Sequence, residues 1–430
     1  MRKTVNPIVL AHTRFGFLFQ RGRNPHCRCV PCRNLRLLLS GVLIFIEFYV
    51  ATPASAAEFL RLGDLNGGMV ESSATGISSD GDIIVGFSSS TPSGFGFEAY
   101  RWTEESGLLG LGSLPGGLAF FSSSWAVSAD GMVVVGNSIS ERSGTAIEAF
   151  RWTPEGGMVG LGGIIETGGF VYSMATDISG DGQVIVGGGV ARRVGLSDEF
   201  EAFRWTEVGG MRALGDLPGG EVGSAARAIS ADGLVIVGSS ESDRGTEAFR
   251  WTKHSGMVGL GGLGQERFRS FARDVSADGN VVVGVSNTDE MGPRAFRWTK
   301  HTGMVAIDET PFRISYATGV SADGGVIVGA ATVDDVDSAF IWTEDDGMLI
   351  LQDWLVAEYG LGAELAGWTL TKANAVSADG RAIVGEGTNP TGNREGWLVR
   401  LDPVPEPATA ATAILAACSA LIAFRRIGRK

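Results

Sequence analysis

The sequence has few cysteines and few histidines, and those present are poorly placed for chemistry. Only four of each occur among 430 residues. Cys27, Cys29 and Cys32 lie in a basic amino-terminal segment and Cys418 lies in a carboxy-terminal apolar stretch, so residues 58–402 contain no cysteine. That middle region contains only His254 and His301. A disulfide and a catalytic thiol are therefore excluded there, and two histidines in equivalent turns do not suit a catalytic triad or a histidine-rich metal site.

Basic residues are also scarce in the middle region. Residues 58–402 hold 23 of the 35 basic and 46 of the 48 acidic residues, which gives a net charge of about −23. This charge argues against nucleic acid and anionic membranes as partners, because binding to either relies on Lys and Arg. High acidity favours solubility outside the cell and could attract Ca²⁺. We predict no cofactor, with Ca²⁺ as the one alternative, at the acidic runs 334–337 and 344–346.

The middle region consists of a repeat of roughly 50 residues. Aromatic-Arg-Trp-Thr recurs five times, followed by a variant at Phe340–Thr343 and a decayed copy around Trp397. An Asp-Gly pair keeps step with this motif, at Asp80, Asp130, Asp181, Asp232, Asp278, Asp323 and Asp379. A catalytic aspartate would be expected once, so a residue that recurs seven times in the same surroundings is interpreted as a turn former.

Each repeat is predicted to form a four-stranded antiparallel meander. In the unit 224–260, four short runs rich in β-branched and aromatic residues are separated by turn residues, and none is long enough for a helix. Asp-Gly between two apolar runs favours a hairpin. Residues Leu234–Val237 have no polar face, so each sheet must be covered on both sides.

These features predict an all-β fold, a β-propeller of seven four-stranded blades. The middle region begins with a lone fourth strand, Phe59–Gly63, and ends with a third strand, Trp397–Leu401. The terminal strand would thus complete the last blade and hide both sheet edges, and the ring is expected to be monomeric. The alternative is an open β-solenoid or a stack of hairpins. Residues Leu351–Gly360 interrupt the pattern with a short amphipathic helix, which would either plug the ring or, as we favour, cover the joint between two blades.

Residues 1–57 have the layout of a secretory signal. Eight basic residues precede an apolar run from Leu37 to Ile46, and small residues follow, with Ala54 and Ala56 in the cleavage region. The Cys-x-Cys-x-x-Cys pattern would be removed with this segment, which argues against metal binding. The protein is therefore predicted to be exported through the inner membrane.

Residues 403–430 carry a second targeting pattern. Pro405-Glu406-Pro407 is followed by an apolar stretch, Ala410 to Phe424, and a basic tail containing Arg425, Arg426, Arg429 and Lys430. This arrangement resembles the PEP-CTERM sorting signal of Gram-negative bacteria. The resemblance implies transient anchoring in the inner membrane, cleavage near the triplet by an exosortase-type enzyme, and a cell-surface or extracellular destination in species that make extracellular polysaccharide. An ordinary carboxy-terminal membrane anchor is the alternative.

The repeats themselves resemble the HAF-repeat family of extracellular proteins over about residues 58–401. The family's His-Ala-Phe triplet is altered here, as in Glu148-Ala149-Phe150 and Glu247-Ala248-Phe249, while Leu-Gly-x-Leu-x-Gly-Gly is kept at Leu111–Gly117 and Leu214–Gly220. Any role of the family's histidine therefore does not transfer, and the resemblance implies no catalytic activity.

Three tryptophans fall outside the repeat position: Trp125, Trp354 and Trp368. They are the candidates for stacking on sugar rings. The sequence predicts a non-catalytic binding or structural platform at the cell surface or in the extracellular matrix, associated with exopolysaccharide. The main alternative is a glycan hydrolase or lyase that uses carboxylates at the propeller mouth, and a third is a propeller that docks a protein partner.

Overall fold

A computed structural model of the protein describes residues 57–94, 96–164, 171–191, 199–264, 267–288, 292–308 and 314–401. The predicted cleavage residues Ala54 and Ala56 and the predicted sorting signal of residues 403–430 lie outside the described residues. The predictions made for these two ends stay predictions.

The described residues form seven four-stranded antiparallel sheets, which confirms the predicted seven-bladed β-propeller. The lone strand β1 (Ala57–Gly63) precedes the first blade. Blade one contains β2 (Gly67–Ile77), β3 (Ile84–Ser90), β4 (Glu98–Thr103) and β5 (Gly107–Gly110). Blade two contains β6 (Ser122–Val127), β7 (Val134–Ser138), β8 (Glu148–Thr153) and β9 (Gly157–Gly160). Blade three contains β10 (Ser173–Ile178), β11 (Ile185–Ala191), β12 (Glu199–Thr206) and β13 (Gly210–Ala213).

The remaining blades repeat this order. Blade four contains β14 (Gly219–Ile229), β15 (Val235–Ser242), β16 (Gly245–Thr252) and β17 (Gly256–Gly259). Blade five contains β18 (Ser270–Val275), β19 (Val281–Asn287), β20 (Pro293–Thr299) and β21 (Gly303–Ala306). Blade six contains β22 (Ser315–Val320), β23 (Ile327–Val333), β24 (Val336–Thr343) and β25 (Gly347–Ile350). The helix α1 (Leu351–Tyr359) follows, and blade seven contains β26 (Thr369–Val376), β27 (Ala382–Thr388) and β28 (Arg394–Leu401).

The ring is closed by a strand from the other end of the chain. The strand β1 pairs antiparallel with β28 and supplies the fourth strand of blade seven, with Ala57 opposite Leu401. Arg61 Nη2 lies 3.0 Å from Glu395 Oε2 across this junction. The predicted terminal closure is therefore confirmed, and the open solenoid is excluded. Without β1, the strand β28 would be an open edge of blade seven, and closure covers that edge.

Each hydrophobic cluster lies between two neighbouring blades, because both faces of every sheet are apolar. Val85 and Ala99 of blade one, for example, pack with Val134, Phe150 and other residues of blade two. Within a blade, a glycine of the second strand lies opposite an aromatic residue of the third, as Gly136 does opposite Phe150. A Cβ on Gly136 would lie 2.9 Å from the Phe150 ring and 2.0 Å from a backbone oxygen. Only glycine fits there, since the aromatic ring covers the strand directly.

The repeated Ser-x-Asp-Gly sequence forms the turn between the first and second strands of every blade. In blade two the Ser128 hydroxyl donates to Asp130 Oδ1 at 2.6 Å and accepts from the Val133 amide at 2.9 Å. The Met132 amide also donates to Asp130 Oδ1, and Gly131 has a positive φ of 70°. The same Ser-to-Asp hydrogen bond occurs in all seven blades. The aspartates are turn formers, as predicted.

The residue between Ser and Asp in each turn joins its blade to the next. Its amide donates to the carbonyl of the equivalent residue in the following blade, over 3.0 to 3.3 Å. The series runs through seven residues and returns to its start: Ser79, Ala129, Gly180, Ala231, Ala277, Ala322, Ala378 and again Ser79. This cycle, called the backbone ring below, constricts one end of the central channel.

The helix α1 lies at the joint between blades six and seven. Leu351 and Leu355 are fully buried together with Ile341 of blade six and Ile383 and Trp397 of blade seven. The helix ends at Gly360, whose φ of 72° is left-handed, as is common at helix ends. The sequence therefore predicted both the helix and the favoured position at the joint correctly.

Candidate functional site

The innermost strand of every blade contains a β-bulge at the same place. The bulge lies three residues before the serine of the Ser-x-Asp-Gly turn, so one residue of each inner strand is left out of the ladder. Bulges re-aim side chains and are over-represented next to functional sites. The bulge positions are Thr75, Trp125, Thr176, Arg227, Arg273, Thr318 and Asn374.

Four of the seven bulge residues hold neighbouring blades together. Thr75 donates to the carbonyl of Ser124 at 2.8 Å, and Thr176 and Thr318 make the equivalent bond to the next blade. Asn374 Nδ2 donates to the Ala74 carbonyl at 2.7 Å and so links blade seven to blade one. These four side chains are occupied by structural hydrogen bonds.

The other three bulge residues, Trp125, Arg227 and Arg273, break this pattern. Their side chains make no hydrogen bond to any other residue that the structure describes, and all three are exposed, Trp125 by 41%. They line a cavity of about 390 Å³ at the wide end of the channel, together with Phe271 and Lys372. A second cavity of about 240 Å³ continues from the same bulge row down to the backbone ring. The two together form the central channel, and the wider cavity is called the channel mouth below.

The channel mouth carries positive charge on an acidic protein. Both guanidinium groups keep solvent access, but the surrounding channel walls partly desolvate them. This desolvation lowers the pKa of Arg227, and together with the positive charge of Arg227 it lowers the pKa of Arg273. The pKa of Lys372 is lowered chiefly by burial; Glu386 opposes this shift, and Arg273 and Arg394 add smaller lowering contributions. Arg273 is held in place over the Tyr316 ring, with its Cζ 5.4 Å from the ring centroid. The cations are therefore crowded together in a confined space.

Further aromatic side chains pack next to Trp125 of the mouth. The rings of Trp125 and Phe87 are 6.3 Å apart and tilted by 57°, and the Phe87 and Phe97 rings are 4.9 Å apart. Arg394 lies over Phe87 at 5.4 Å and also pairs with Glu71 at 2.9 Å. Trp125 thus stands at the end of an aromatic wall that leads into the channel.

Two carboxyl groups lie deeper in the channel, one residue beyond the bulge. Burial raises the pKa of Asp177 to about 8, with a smaller contribution from Asp274, and burial raises the pKa of Asp274 to about 7. Both residues are partly exposed in the channel but surrounded by protein, which is why desolvation dominates the two pKa shifts.

Each of these carboxyl groups already makes structural hydrogen bonds. Asp177 accepts the amides of Ile178 and, from the next blade, Ile229, both at 2.8 Å. Asp274 bonds Val275 and Val320 in the same way. All four carboxylate oxygens are thus occupied by backbone amides, and one oxygen of each aspartate joins its blade to the next, blade three to four and blade five to six.

Of the three predicted stacking tryptophans, the structure brings only Trp125 to the channel. Trp354 lies on α1, where its ring meets Tyr359 edge-on at 5.1 Å. Trp368 is only 5% exposed and packs against Phe59 at 5.1 Å, so it is a core residue with no free ring face. The expectation that Trp368 stacks on a sugar is therefore corrected, because the closing strand β1 covers it.

The predicted acidic runs have structural explanations. Asp334 and Asp335 have φ values of 48° and 64° and form the two-residue hairpin between β23 and β24. Asp346 accepts from Thr343 in the turn that leads to β25. Among the described residues, no group of three or more His, Cys, Asp or Glu side chains comes together to hold a metal. His254 and His301 are exposed turn residues.

The sequence analysis missed Arg227, Arg273 and Lys372. A signal was available: the position three residues before each Ser-x-Asp-Gly reads Thr, Trp, Thr, Arg, Arg, Thr and Asn, while the turn after it is nearly constant. Variation at one fixed position of a repeat marks the place where the blades differ in use.

Comparisons with known proteins concern the fold. No protein-family model and no curated protein matches the chain. Among solved structures, it is similar to an oligogalacturonate lyase in complex with manganese, at 12% identity and a TM-score of 0.49, over 82% of this chain and 95% of that one. A puromycin hydrolase mutant is 13% identical with a TM-score of 0.51, over 76% and 53%. TolB from Acinetobacter baumannii is 13% identical with a TM-score of 0.42, over 63% of each chain. The chain thus spans less than two thirds of the last two proteins.

A membrane-spanning helix was predicted only at the carboxy terminus. None of the helices within residues 57–401 that the structure describes is long and apolar enough to cross a bilayer. The apolar stretch from Ala410 to Phe424 lies outside those residues.

Proposed function

We propose that this protein is a non-catalytic binding platform of the cell surface or extracellular matrix, and that its ligand is an extracellular polysaccharide that enters the channel mouth. The single observation that carries the proposal is the broken symmetry of the bulge row. Four of its seven side chains hold the blades together, whereas the side chains of Trp125, Arg227 and Arg273 form no hydrogen bond to another described residue and line one cavity.

A tryptophan exposed by 41% inside a channel suits a sugar ring. Aromatic faces pack against the apolar C–H faces of sugars, while polar groups around them fix the orientation of the ligand. Trp125 is exposed to solvent, whereas the threonine at the equivalent place in blades one, three and six is partly buried. Its presence is therefore better explained by a ligand than by packing.

Export and sorting form a second part of the proposal, supported by the sequence at both ends. The first strand begins at Ala57, directly after Ala56 of the predicted cleavage region, and the last strand ends at Leu401, just before the predicted sorting signal. Removal of both ends would thus leave the propeller intact. Mass spectrometry of the protein from culture medium and cell surface should find an amino terminus near residue 57 and a carboxy terminus near Pro405; an intact terminus at Lys430 would refute sorting by cleavage.

The enzymatic alternative has one observation in its favour. Asp177 and Asp274 have raised pKa values in the channel, and two such carboxyl groups could serve acid–base chemistry on a glycan. Their oxygens, however, accept main-chain amides of two blades, which ties them to the wall. We therefore prefer the non-catalytic role.

A glycan-array experiment tests the proposal. The exported protein is applied with and without Ca²⁺, and reducing ends are measured on every glycan that binds. Saturable binding that is lost in Trp125→Ala and kept in Trp354→Ala, without new reducing ends, would support a carbohydrate-binding platform. Release of reducing ends would favour the hydrolase or lyase. Binding that survives Trp125→Ala would place the site elsewhere.

A further inference from the structure

Three cations, Arg227, Arg273 and Lys372, share the channel mouth. Arg227, Arg273 and Lys372 form no ion pair within 4.0 Å with any residue that the structure describes. Arg394, by contrast, lies close by and is paired with both Glu71 and Glu386. Unpaired cations are normal on an exposed surface, but these three share one cavity of about 390 Å³.

This crowding of positive charges favours the binding of an anion. Like charges in a confined space repel each other, and confinement also removes part of their hydration. The repulsion appears in the lowered pKa values of Arg273 and Lys372, each of which is affected by a neighbouring cation. An anion bound between them would relieve the repulsion and gain charge-assisted hydrogen bonds, which guanidinium groups form well with carboxylates.

The acidic groups nearby do not fill this place. Asp177 and Asp274 are turned to backbone amides, and burial favours their neutral forms near neutral pH. Glu386 contacts Arg394 at 3.7 Å. Asp337 accepts a hydrogen bond from Thr332 in the neighbouring hairpin. The positive charges of Arg227 and Arg273 are thus left for a ligand, whereas that of Lys372 is partly offset by Glu386.

We propose that the channel mouth binds a carboxylate-bearing sugar, that is, a uronate unit of an acidic polysaccharide. Arg227 and Arg273 bind the carboxylate, Lys372 adds positive charge, and Trp125 packs against the face of the sugar ring. This inference rests on the proposed function and adds the ligand's charge to it. The cavity lies in the range of roughly 300–1,000 Å³ that small-molecule sites occupy.

Charge alone would fit a phosphate or sulfate ion, but the aromatic wall would then have no role. Phe271 lines the same cavity as Trp125, so the mouth offers apolar ring faces as well as cations. A uronate has both parts, an anionic group and an apolar ring face. The net negative charge of residues 58–402 repels a free anion and a sugar carboxylate alike, but a sugar ring adds contact area that offsets this repulsion.

The test compares two ligands that differ only in the charged group. Isothermal titration calorimetry of the exported protein is carried out with glucuronate oligomers and with glucose oligomers of the same length and linkage, and the methyl ester of the glucuronate oligomer serves as an uncharged copy. We expect the acid to bind at least about tenfold more tightly than either neutral ligand, and its affinity to fall with added salt.

Variants locate the site. Arg227→Gln and Arg273→Gln should each weaken binding of the acid by at least about tenfold and leave binding of the ester unchanged. Arg212→Gln is the matched control, because Arg212 is an exposed arginine of the outer strand β13 and bonds only the nearby Gly209 carbonyl. Circular dichroism of each variant verifies the fold.

The outcomes separate this inference from the proposed function. Equal affinity for acid and ester, or an equal loss with Arg212→Gln and Arg273→Gln, would overturn the uronate site while sugar binding still stands. Displacement of the acid by an equal concentration of inorganic phosphate would show a simple anion site and would also overturn it. If none of the three sugars binds but an array identifies an unrelated neutral glycan, the uronate assignment is wrong and the proposed binding platform still stands. If no glycan binds at all, the uronate site and the proposed polysaccharide-binding function are both wrong.

Discussion

The serine of each Ser-x-Asp-Gly turn should stabilise the propeller far more than a residue in a hairpin turn usually does. Ser128 is 1% exposed, and its hydroxyl both donates to Asp130 and accepts from the Val133 amide. The next residue, Ala129, supplies two links of the backbone ring, one to blade one and one to blade three. The change Ser128→Ala removes the hydroxyl and adds no bulk.

The expected loss follows from the two bonds. The Val133 amide is buried and would lose its acceptor, which costs about 1–3 kcal/mol, whereas the exposed Asp130 carboxylate can turn to water at little cost. We therefore expect the free energy of unfolding to fall by about 2 kcal/mol. Thr153→Ala in the same blade is the control, because Thr153 Oγ1 accepts the Gly156 amide in an exposed turn, and it should cost less than about 0.5 kcal/mol.

Urea denaturation followed by both fluorescence and circular dichroism gives the two free energies, provided that the two probes agree. Hydrogen exchange of the Val133 amide should accelerate in Ser128→Ala. The Ser128 hydroxyl is the main cause that lowers the pKa of Asp130, so the ionised form stabilises the fold above its ordinary pKa of 3.8 and this share is lost as the pH falls. The difference between the two proteins should thus shrink in acid. Equal losses for Ser128→Ala and Thr153→Ala would refute the reasoning.

Three further predictions concern the core, the channel carboxyls and the closure. Phe150→Ala should lower the free energy of unfolding by about 3–5 kcal/mol, because the facing Gly136 has no side chain to fill the cavity. Leu118 is 76% exposed, so Leu118→Ala should change that free energy by less than about 0.5 kcal/mol in the same urea assay. Burial raises the pKa of Asp177 from 3.8 to about 8, so the stability that its neutral form provides is fully present below the ordinary pKa and is lost as the pH rises from about 4 to about 8. Asp177→Ala, which places here the residue that three other blades have, should therefore flatten the plot of stability against pH between about pH 4 and about pH 8, and an unchanged slope would contradict this. A chain without residues 57–63 should lose its monomer peak in size-exclusion chromatography and regain it when that peptide is added, because β28 becomes an open edge; a stable monomer without the peptide would count against closure.

Much of the fold could be predicted because the repeat expresses the same physical constraints seven times. Turn residues, strand alternation and the missing fourth strand of the last repeat all point to a closed ring. The helix at the joint between blades six and seven follows from the spacing of its apolar residues. Trp368 was misinterpreted for a physical reason. A tryptophan outside the repeat motif appears free in a sequence, but the strand that covers it, β1, comes from about 300 residues earlier.

The candidate site was harder to predict because its key residues occupy a bulge. Alternation assigns each strand residue to one of two faces, and a bulge shifts that assignment by one position. Arg227 and Arg273 therefore appeared as ordinary polar residues of inner strands. Arg227 and Arg273 come from neighbouring blades, but Trp125 of blade two and Lys372 of blade seven join them in one cavity only because the blades surround a common channel.

The pairing of Ala57 with Leu401 has a mechanical consequence. Since β1 and β28 are antiparallel and both chain ends leave from this one pair, a pull between the two ends would load the hydrogen bonds of that hairpin in sequence rather than together. Tension between the termini should therefore peel the closing strand away at low force, whereas a load borne by a ligand in the channel would be shared by all seven blades. A protein tethered by only one end carries no such tension across its seam, so a single point of attachment is the arrangement that this closure tolerates best.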